Sequence, residues 1–252
     1  MKKIITILTF FFLYLPLLVL IAYSFNTKAF PAPWSGATLH WYRELFNSPY
    51  LWASMKNSLV IALSATTLSL TMATLLIFLR SNSKKLSQKV SLFYGNLMIP
   101  ETILAVGLLS FFVFCNIPLG MPTLIVSHTV IGLGFAVPIL YSRYLELEPS
   151  YAEASLDLGA SSVQTFFRIT LPLIRPTLFG IGLLVFVISF DDFVISYFCS
   201  GGSVQTLSLY IFSSIRFGTN PSINALSTIL ITCSGILALI VMKRKNLARI
   251  FS

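Results

Sequence analysis

Long apolar runs separated by short polar connectors set the rhythm of this chain. Ile4 to Phe25, Ser58 to Leu79, Val90 to Cys115, Thr123 to Tyr141, Thr177 to Phe198 and Ser222 to Met242 are six such runs. Each is close to the ~20 residues that carry a helix, at ~1.5 Å per residue, across a bilayer's hydrocarbon core. The pattern predicts an all-α, polytopic membrane protein of six transmembrane helices. Pro100 interrupts the third run, and Gly132, Gly134 and Pro138 give the fourth small surfaces and a bend. Lys2 and Lys3 ahead of the first run have the form of a secretory signal. The run itself would be roughly 33 Å long as a helix, too long for a signal core, so it is read as an uncleaved span.

The connectors differ in character. Asn26 to Asn57 is the longest and holds Trp34, Trp41 and Trp52 with Tyr42 and Tyr50, residue types that collect at membrane interfaces. Thr38 to Phe46 within it is expected to be a short interfacial helix. Asn116 to Pro122 reads as a tight turn, and Cys199 to Pro221 as a glycine- and serine-rich connection.

Ser150 to Pro172 is neither span nor simple connector. Pro149 prevents plain continuation of an upstream helix, and Ser150 with Glu153 has the spacing of a capping box. Tyr151, Ala154, Ser155 and Leu158 form a weakly apolar stripe, and Gly159 is placed to end the helix in the left-handed conformation. Ser161 and Gln164 repeat the box. Val163, Phe166, Phe167 and Thr170 give a second apolar face before Pro172 is expected to stop the run. Two short helices hinged at a glycine are marginal alone and need a surface to pack on.

Composition agrees with the runs: 56% hydrophobic residues, 10% charged and a mean hydropathy of +0.86 place the chain in the membrane. The net charge of +9 would suggest nucleic acid in a soluble protein, but its distribution argues otherwise. With six spans, Lys2, Lys3, Arg80, Lys84, Lys85, Lys89, Arg143, Arg168, Arg175, Lys243, Arg244, Lys245 and Arg249 fall on one face. Only Lys28, Arg43, Lys56 and Arg216 fall on the other. The positive-inside rule makes the crowded face cytoplasmic, with both termini and the 150–172 loop on it. The basicity is topology, and no nucleic acid partner is needed. Cys115, Cys199 and Cys233 are too dispersed for a disulfide framework or a zinc site. His40 and His128 are isolated from each other and from acidic partners, and both are read as structural.

Three of the eight acidic residues lie within spans: Glu101, Asp191 and Asp192. A carboxylate at the bilayer centre costs about 2.5 to 3.5 kcal/mol on insertion scales, so such groups face a cavity, a partner or a permeating cation. Counting from the cytoplasmic ends of their spans places them at neighbouring depths, where they could line one path for a flexible polycation. Satisfaction by hydroxyls and backbone inside the bundle is the structural alternative for each. The chain has no G-x-x-x-x-G-K-[ST], no Ser/His/Asp or Cys/His arrangement and no metal-ligand spacing. By itself it is expected to be no enzyme, to have no catalytic or metal site and no cofactor, and to take any ATP energy from a partner.

Glu153-Ala154-Ser155, then Gly159, then Ile169, Leu171 and Pro172 resemble the EAA loop of permease subunits in bacterial ABC importers, with Ser155 replacing the second Ala. Ser189-Phe190-Asp191-Asp192-Phe193-Val194 through Ser200-Gly201 are similar to the PotC-type permeases of spermidine/putrescine importers. So are Gly218, Pro221, Asn224 to Ile229, Pro100-Glu101, Ser24-Phe25-Asn26 and Trp41-Tyr42. The likeness departs at Leu207-Ser208, where that family has Leu-Pro. The resemblance implies the ABC importer permease fold as one transmembrane domain over residues 1–252, with the 150–172 loop coupling to a cytoplasmic ATPase. It also implies a second permease subunit, an extracytoplasmic substrate-binding protein, a polyamine cargo and residence in the bacterial inner membrane among its lipids. A permease for another small cation is the nearest alternative. An ion-coupled secondary transporter would need no EAA-like loop, and a structural membrane protein would leave the buried acids without a role.

Overall fold

The computed structural model describes residues 2–28, 32–80, 86–216 and 221–250, and they are helical nearly throughout. In chain order the helices are α1 (Lys2–Tyr23), α2 (His40–Phe46), α3 (Pro49–Arg80), α4 (Leu86–Met98), α5 (Glu101–Phe114), α6 (Met121–Leu145) and α7 (Pro149–Asp157). Then come α8 (Ser162–Thr165) with a π-turn at Phe166–Thr170, α9 (Leu171–Asp191), α10 (Val194–Cys199), α11 (Leu207–Arg216) and α12 (Pro221–Ile250). Lys84, Lys85 and Gly218 lie outside the described residues. Among the described residues four helices are long and apolar enough to cross a membrane: α1, α3, α6 and the run through α8 to α9. Counting α4 with α5 as one bent span makes five, and the described apolar part of α12, Pro221–Ile236, is shorter.

The chain divides into two compact units. The first comprises Met1–Trp52 and Tyr210–Ser252. Its α1 is apolar on every side, and its large side chains from Ile4 to Val19 are exposed, which suits lipid or another apolar helix. Where α1 ends, polar groups tie the connector down. Ser24 Oγ lies 2.7 Å from the Tyr42 hydroxyl, Trp41 Nε1 donates to the Asn26 carbonyl at 2.8 Å, and the Asn26 side chain accepts the Ser35 amide at 2.8 Å. A short helix is present where one was expected, as α2 from His40 rather than Thr38, and it packs on α12.

The second unit, Ala53–Leu209, carries two apolar cores. One gathers Ala73 and Ile77 of α3, Val90 of α4, Ala136, Val137 and Leu140 of α6, and Ile174, Ile181 and Val185 of α9. The other joins Ile61, Ala105, Phe112, Leu124, Ile195 and Cys199 from α3, α5, α6 and α10. Gly132 permits the closest approach: a Cβ there would fall 2.8 Å from Val185 Cγ1 and nearer still to Ser69 Oγ. Polar side chains tie the helices together, Ser69 donating to the Thr129 carbonyl at 3.2 Å and Asn96 to the Val130 carbonyl at 2.8 Å.

Several sequence expectations are corrected. The third apolar run is two helices meeting at 107°, because Pro100 is extended (φ −54°, ψ 134°) and its ring keeps the preceding residue out of the helical region. Pro172 does not stop the coupling segment. The π-turn shifts the amide bonding so that Leu171 N–H reaches the Phe166 carbonyl, and Pro172, which has no N–H, sits in the first turn of a continuing helix. The helix of the fifth apolar run, α9, therefore starts at Leu171, not Thr177, and ends at Asp191 rather than running to Phe198. The box at Ser150 does not form: Glu148 is the N-cap, Pro149 opens α7, and Ser150 Oγ bonds the Glu148 carboxylate at 3.2 Å. The Cys199 to Pro221 connection contains α11.

Candidate functional site

Asp191 and Asp192 part company at the end of α9. Asp191 closes the helix and is exposed, whereas Asp192 turns extended (φ −62°, ψ 126°) and is 7% exposed. That turn aims the Asp192 carboxylate at the start of α10. Its Oδ1 accepts the Ile195 amide at 3.3 Å and its Oδ2 the Ser196 amide at 2.9 Å, the first-turn donors that a cap side chain normally satisfies. The Asp192 carbonyl, released from helical bonding by the break, accepts Ser208 Oγ at 2.6 Å.

His128 of α6 reaches the same place. Its Nε2 stands 3.5 Å from Asp192 Oδ2 and 3.4 Å from Ser196 Oγ, and its Nδ1 is 2.8 Å from Ser189 Oγ on α9. Both side chains of the His128–Asp192 pair are 1% exposed. A carboxylate that already accepts two amides is matched by a protonated Nε2, which leaves Nδ1 to accept the Ser189 hydroxyl. The expectation that neither histidine has an acidic partner is overturned. His128 has Asp192, and His40 has Glu44 one turn along α2 at 3.6 Å, exposed. The first pairing joins two helices and cannot be read along the chain. The second was legible from its i, i+4 spacing.

Glu101 opens α5 directly after the Pro100 bend and is exposed; its carboxyl lies close enough to Asp192 for the two to interact electrostatically. It lines a cavity of about 340 Å³ with Asn96, Ile99, Leu104, Ile131, Phe135 and Ile188 among its neighbours. Ile131, Phe135 and Ile188 also line a tight space beside His128 and Asp192. Two neighbouring carboxyl groups, one open to a cavity and one buried, form an arrangement that a positive charge stabilises. The structure thus brings Glu101 and Asp192 together and leaves Asp191 outside the cluster. Sequence reasoning passed over His128, Ser189 and Ser196. An ionisable residue within a span was the signal that could have raised His128. Among the described residues no group of three His, Cys, Asp or Glu is placed to hold a metal.

The second candidate region is α7 to the start of α9. The α7 helix ends in a Schellman motif: Gly159 takes φ +86°, its amide bonds the Leu156 carbonyl at 2.9 Å, and the Ala160 amide bonds the Ser155 carbonyl at 3.1 Å. The second capping box forms in full, with Ser161 N–H donating to Gln164 Oε1 at 2.9 Å and Gln164 N–H to Ser161 Oγ at 3.3 Å. Ser155 Oγ meets Thr165 Oγ1 at 3.0 Å and ties the two arms together. Phe166 turns inward against Phe78, with ring centroids 4.6 Å apart. Between the arms lies a groove of about 720 Å³ lined by Tyr151, Ala154, Ser155, Leu158, Ala160, Gln164, Arg168, Ile169, Pro172 and Leu173. Tyr151 and Leu158 are 56% and 89% exposed, so the stripe expected to need a surface is uncovered on this chain. Ala154, Ser155, Ile169 and Pro172 share the groove, while Glu153 and Gly159 are exposed and Leu171 is half-buried outside it.

No family model matches the chain. It is 35% identical over 248 residues to the putrescine transport system permease protein PotI of Escherichia coli K12, covering 95% of this chain and 88% of that protein. It is likewise 35% identical over 241 residues to the spermidine/putrescine transport system permease protein PotC of Haemophilus influenzae, covering 93% of each. Among solved structures it is similar to a chain of a bacterial ABC transporter that imports the acidic polysaccharide alginate. There the TM-score is 0.74 at 19% identity, covering 96% of this chain and 92% of that one. A further similar structure is that of a bacterial alginate ABC transporter in complex with its alginate pentasaccharide-bound periplasmic protein, with a TM-score of 0.69 at 19% identity, covering 95% of this chain and 90% of that one.

Proposed function

Since this chain belongs to the family of spermidine/putrescine permeases of ABC importers, we propose that it is the transmembrane permease subunit of an ATP-driven polyamine importer. The observation that carries the reading is the likeness along almost the whole chain to permeases named for putrescine and spermidine. The fold shared with an importer of an acidic polysaccharide supports the permease architecture and says nothing of cargo. The cargo follows from the relatives and suits the carboxyl groups at the Pro100 bend.

In this proposal residues 1–252 form one permease domain of six spans in the bacterial inner membrane, with both termini and the 150–172 loop in the cytoplasm. The basic residues crowded on one face support that topology. The chain pairs with a second permease subunit, receives cargo from an extracytoplasmic binding protein and hydrolyses no ATP itself. Glu101, Asp191 and Asp192 supply negative charge to the translocation path. Glu101 meets the ammonium groups in its cavity and Asp192 acts from behind it. Sites of this kind must be weak enough to let the cation leave. Glu153, Ala154, Ser155, Gly159, Ile169, Leu171 and Pro172 couple the permease to the ATPase, whose surface covers the exposed Tyr151 and Leu158.

Uptake of labelled putrescine and spermidine into proteoliposomes holding this chain, the partner permease, the ATPase and the binding protein tests the reading. Uptake is expected to require ATP and to fall about tenfold or more in Glu101→Gln, the loss of one charge-assisted contact. Uptake of neither polyamine by an ATP-hydrolysing assembly would overturn the cargo.

A further inference from the structure

The break between α9 and α10 is held from a third helix. His128 on α6 touches Ser189 before the break through Nδ1 and stands against Asp192 and Ser196 after it through Nε2. The Asp192 carboxylate is therefore engaged on both oxygens, by the Ile195 and Ser196 amides, and faced by an imidazole as well. Its neighbour Glu101 is exposed and opens on the cavity. A carboxylate held in this way keeps its lone pairs for the protein and not for a passing cation.

We propose that His128 is a positioning residue for transport: it restrains Asp192 at the α9–α10 break, so that a cargo ammonium group meets Glu101 without being clasped by both carboxylates. This rests on the polyamine-path reading and adds a control of binding strength to it. A cation held by two carboxylates in a poorly hydrated site leaves slowly, whereas one held by a single carboxylate with a second in the background leaves readily. His128 thereby trades affinity for release.

The test is cargo uptake by the complete assembly in proteoliposomes, with half-saturating concentration and maximal rate measured separately and normalised to the permease in the membrane. His128→Ala is expected to lower the half-saturating concentration of putrescine by about tenfold and to lower the maximal rate with it. His128→Gln, whose amide reaches the position of Nε2, is expected to restore both values towards the wild type. His128→Asn, whose amide reaches only the position of Nδ1, is expected to behave like the alanine variant. In an Asp192→Asn background the His128→Ala shift should vanish, because the histidine acts through that carboxylate. An unchanged or raised half-saturating concentration in His128→Ala, equal behaviour of the Gln and Asn variants, or a full shift persisting in Asp192→Asn would each overturn the proposal. Glu101→Gln separates the two readings: normal uptake by that variant sinks the path role of Glu101 and the His128 proposal with it, whereas reduced uptake there with no His128→Ala shift sinks the His128 proposal alone.

Discussion

Two neighbouring aspartates show how little a residue's identity says without its surroundings. Asp191 is exposed and Asp192 is buried under two amides and an imidazole, although the chain offers no local reason to treat them differently. Removing Asp192 leaves first-turn amides of α10 without their acceptor and His128 without its partner. Asp192→Ala is expected to destabilise the detergent-solubilised protein by about 1 to 3 kcal/mol, the cost of buried polar groups left unpaired. Asp191→Ala is expected to stay within about 0.5 kcal/mol, as exposed substitutions do. Thermal unfolding of the two variants side by side checks this, and equal losses would mean that the cap geometry is wrong. Ser208 belongs to the same story. Where the PotC-type pattern has proline, this chain has a hydroxyl that bonds the Asp192 carbonyl, a contact proline could not make.

Helix ends decide the elements. Gly159 and the Ser161/Gln164 box lie where their spacing put them, because capping depends on residues within one turn of each other. The Ser150 box failed because Pro149, with its fixed φ, opened the helix two residues earlier. Gly159→Val places a β-branched side chain at φ +86°, which costs about 1 to 2 kcal/mol in the left-handed region and tilts the α7–α8 hinge. The variant is expected to insert normally, yet to lose both cargo uptake and the stimulation of ATP hydrolysis by loaded binding protein. Measuring ATP hydrolysis beside uptake separates uncoupling from misfolding. Normal values for both would count against the coupling role.

At the scale of the whole molecule, the apolar runs leave much helical surface without a core of its own, α1 above all. Such surfaces are stable facing lipid or apolar partners, which is why the chain makes physical sense only in a membrane. The asymmetry of its basic residues predicts its orientation there. With Cys115, Cys199 and Cys233 replaced by serine, Asn47→Cys is expected to react with a membrane-impermeant thiol reagent added outside intact cells. Glu153→Cys is expected to react only after permeabilisation. Labelling of Glu153→Cys from outside with Asn47→Cys protected would reverse the topology and remove the coupling loop from the ATPase's side.

What the sequence determined by itself was whatever rests on local order: the apolar rhythm, the glycine-hinged helix pair and the second capping box. These follow from composition and from residues a turn apart, so no knowledge of the fold was needed. The tertiary structure decided the rest: the 107° turn at Pro100, the continuation of the helix past Pro172 through a π-turn, and the end of α9 at Asp191. It also decided that Asp192 faces His128 and Glu101, residues far away along the chain. Each of these depends on which helix packs against which, and a single buried carboxylate takes its role from partners that only the packing of α5, α6, α9 and α10 brings within reach.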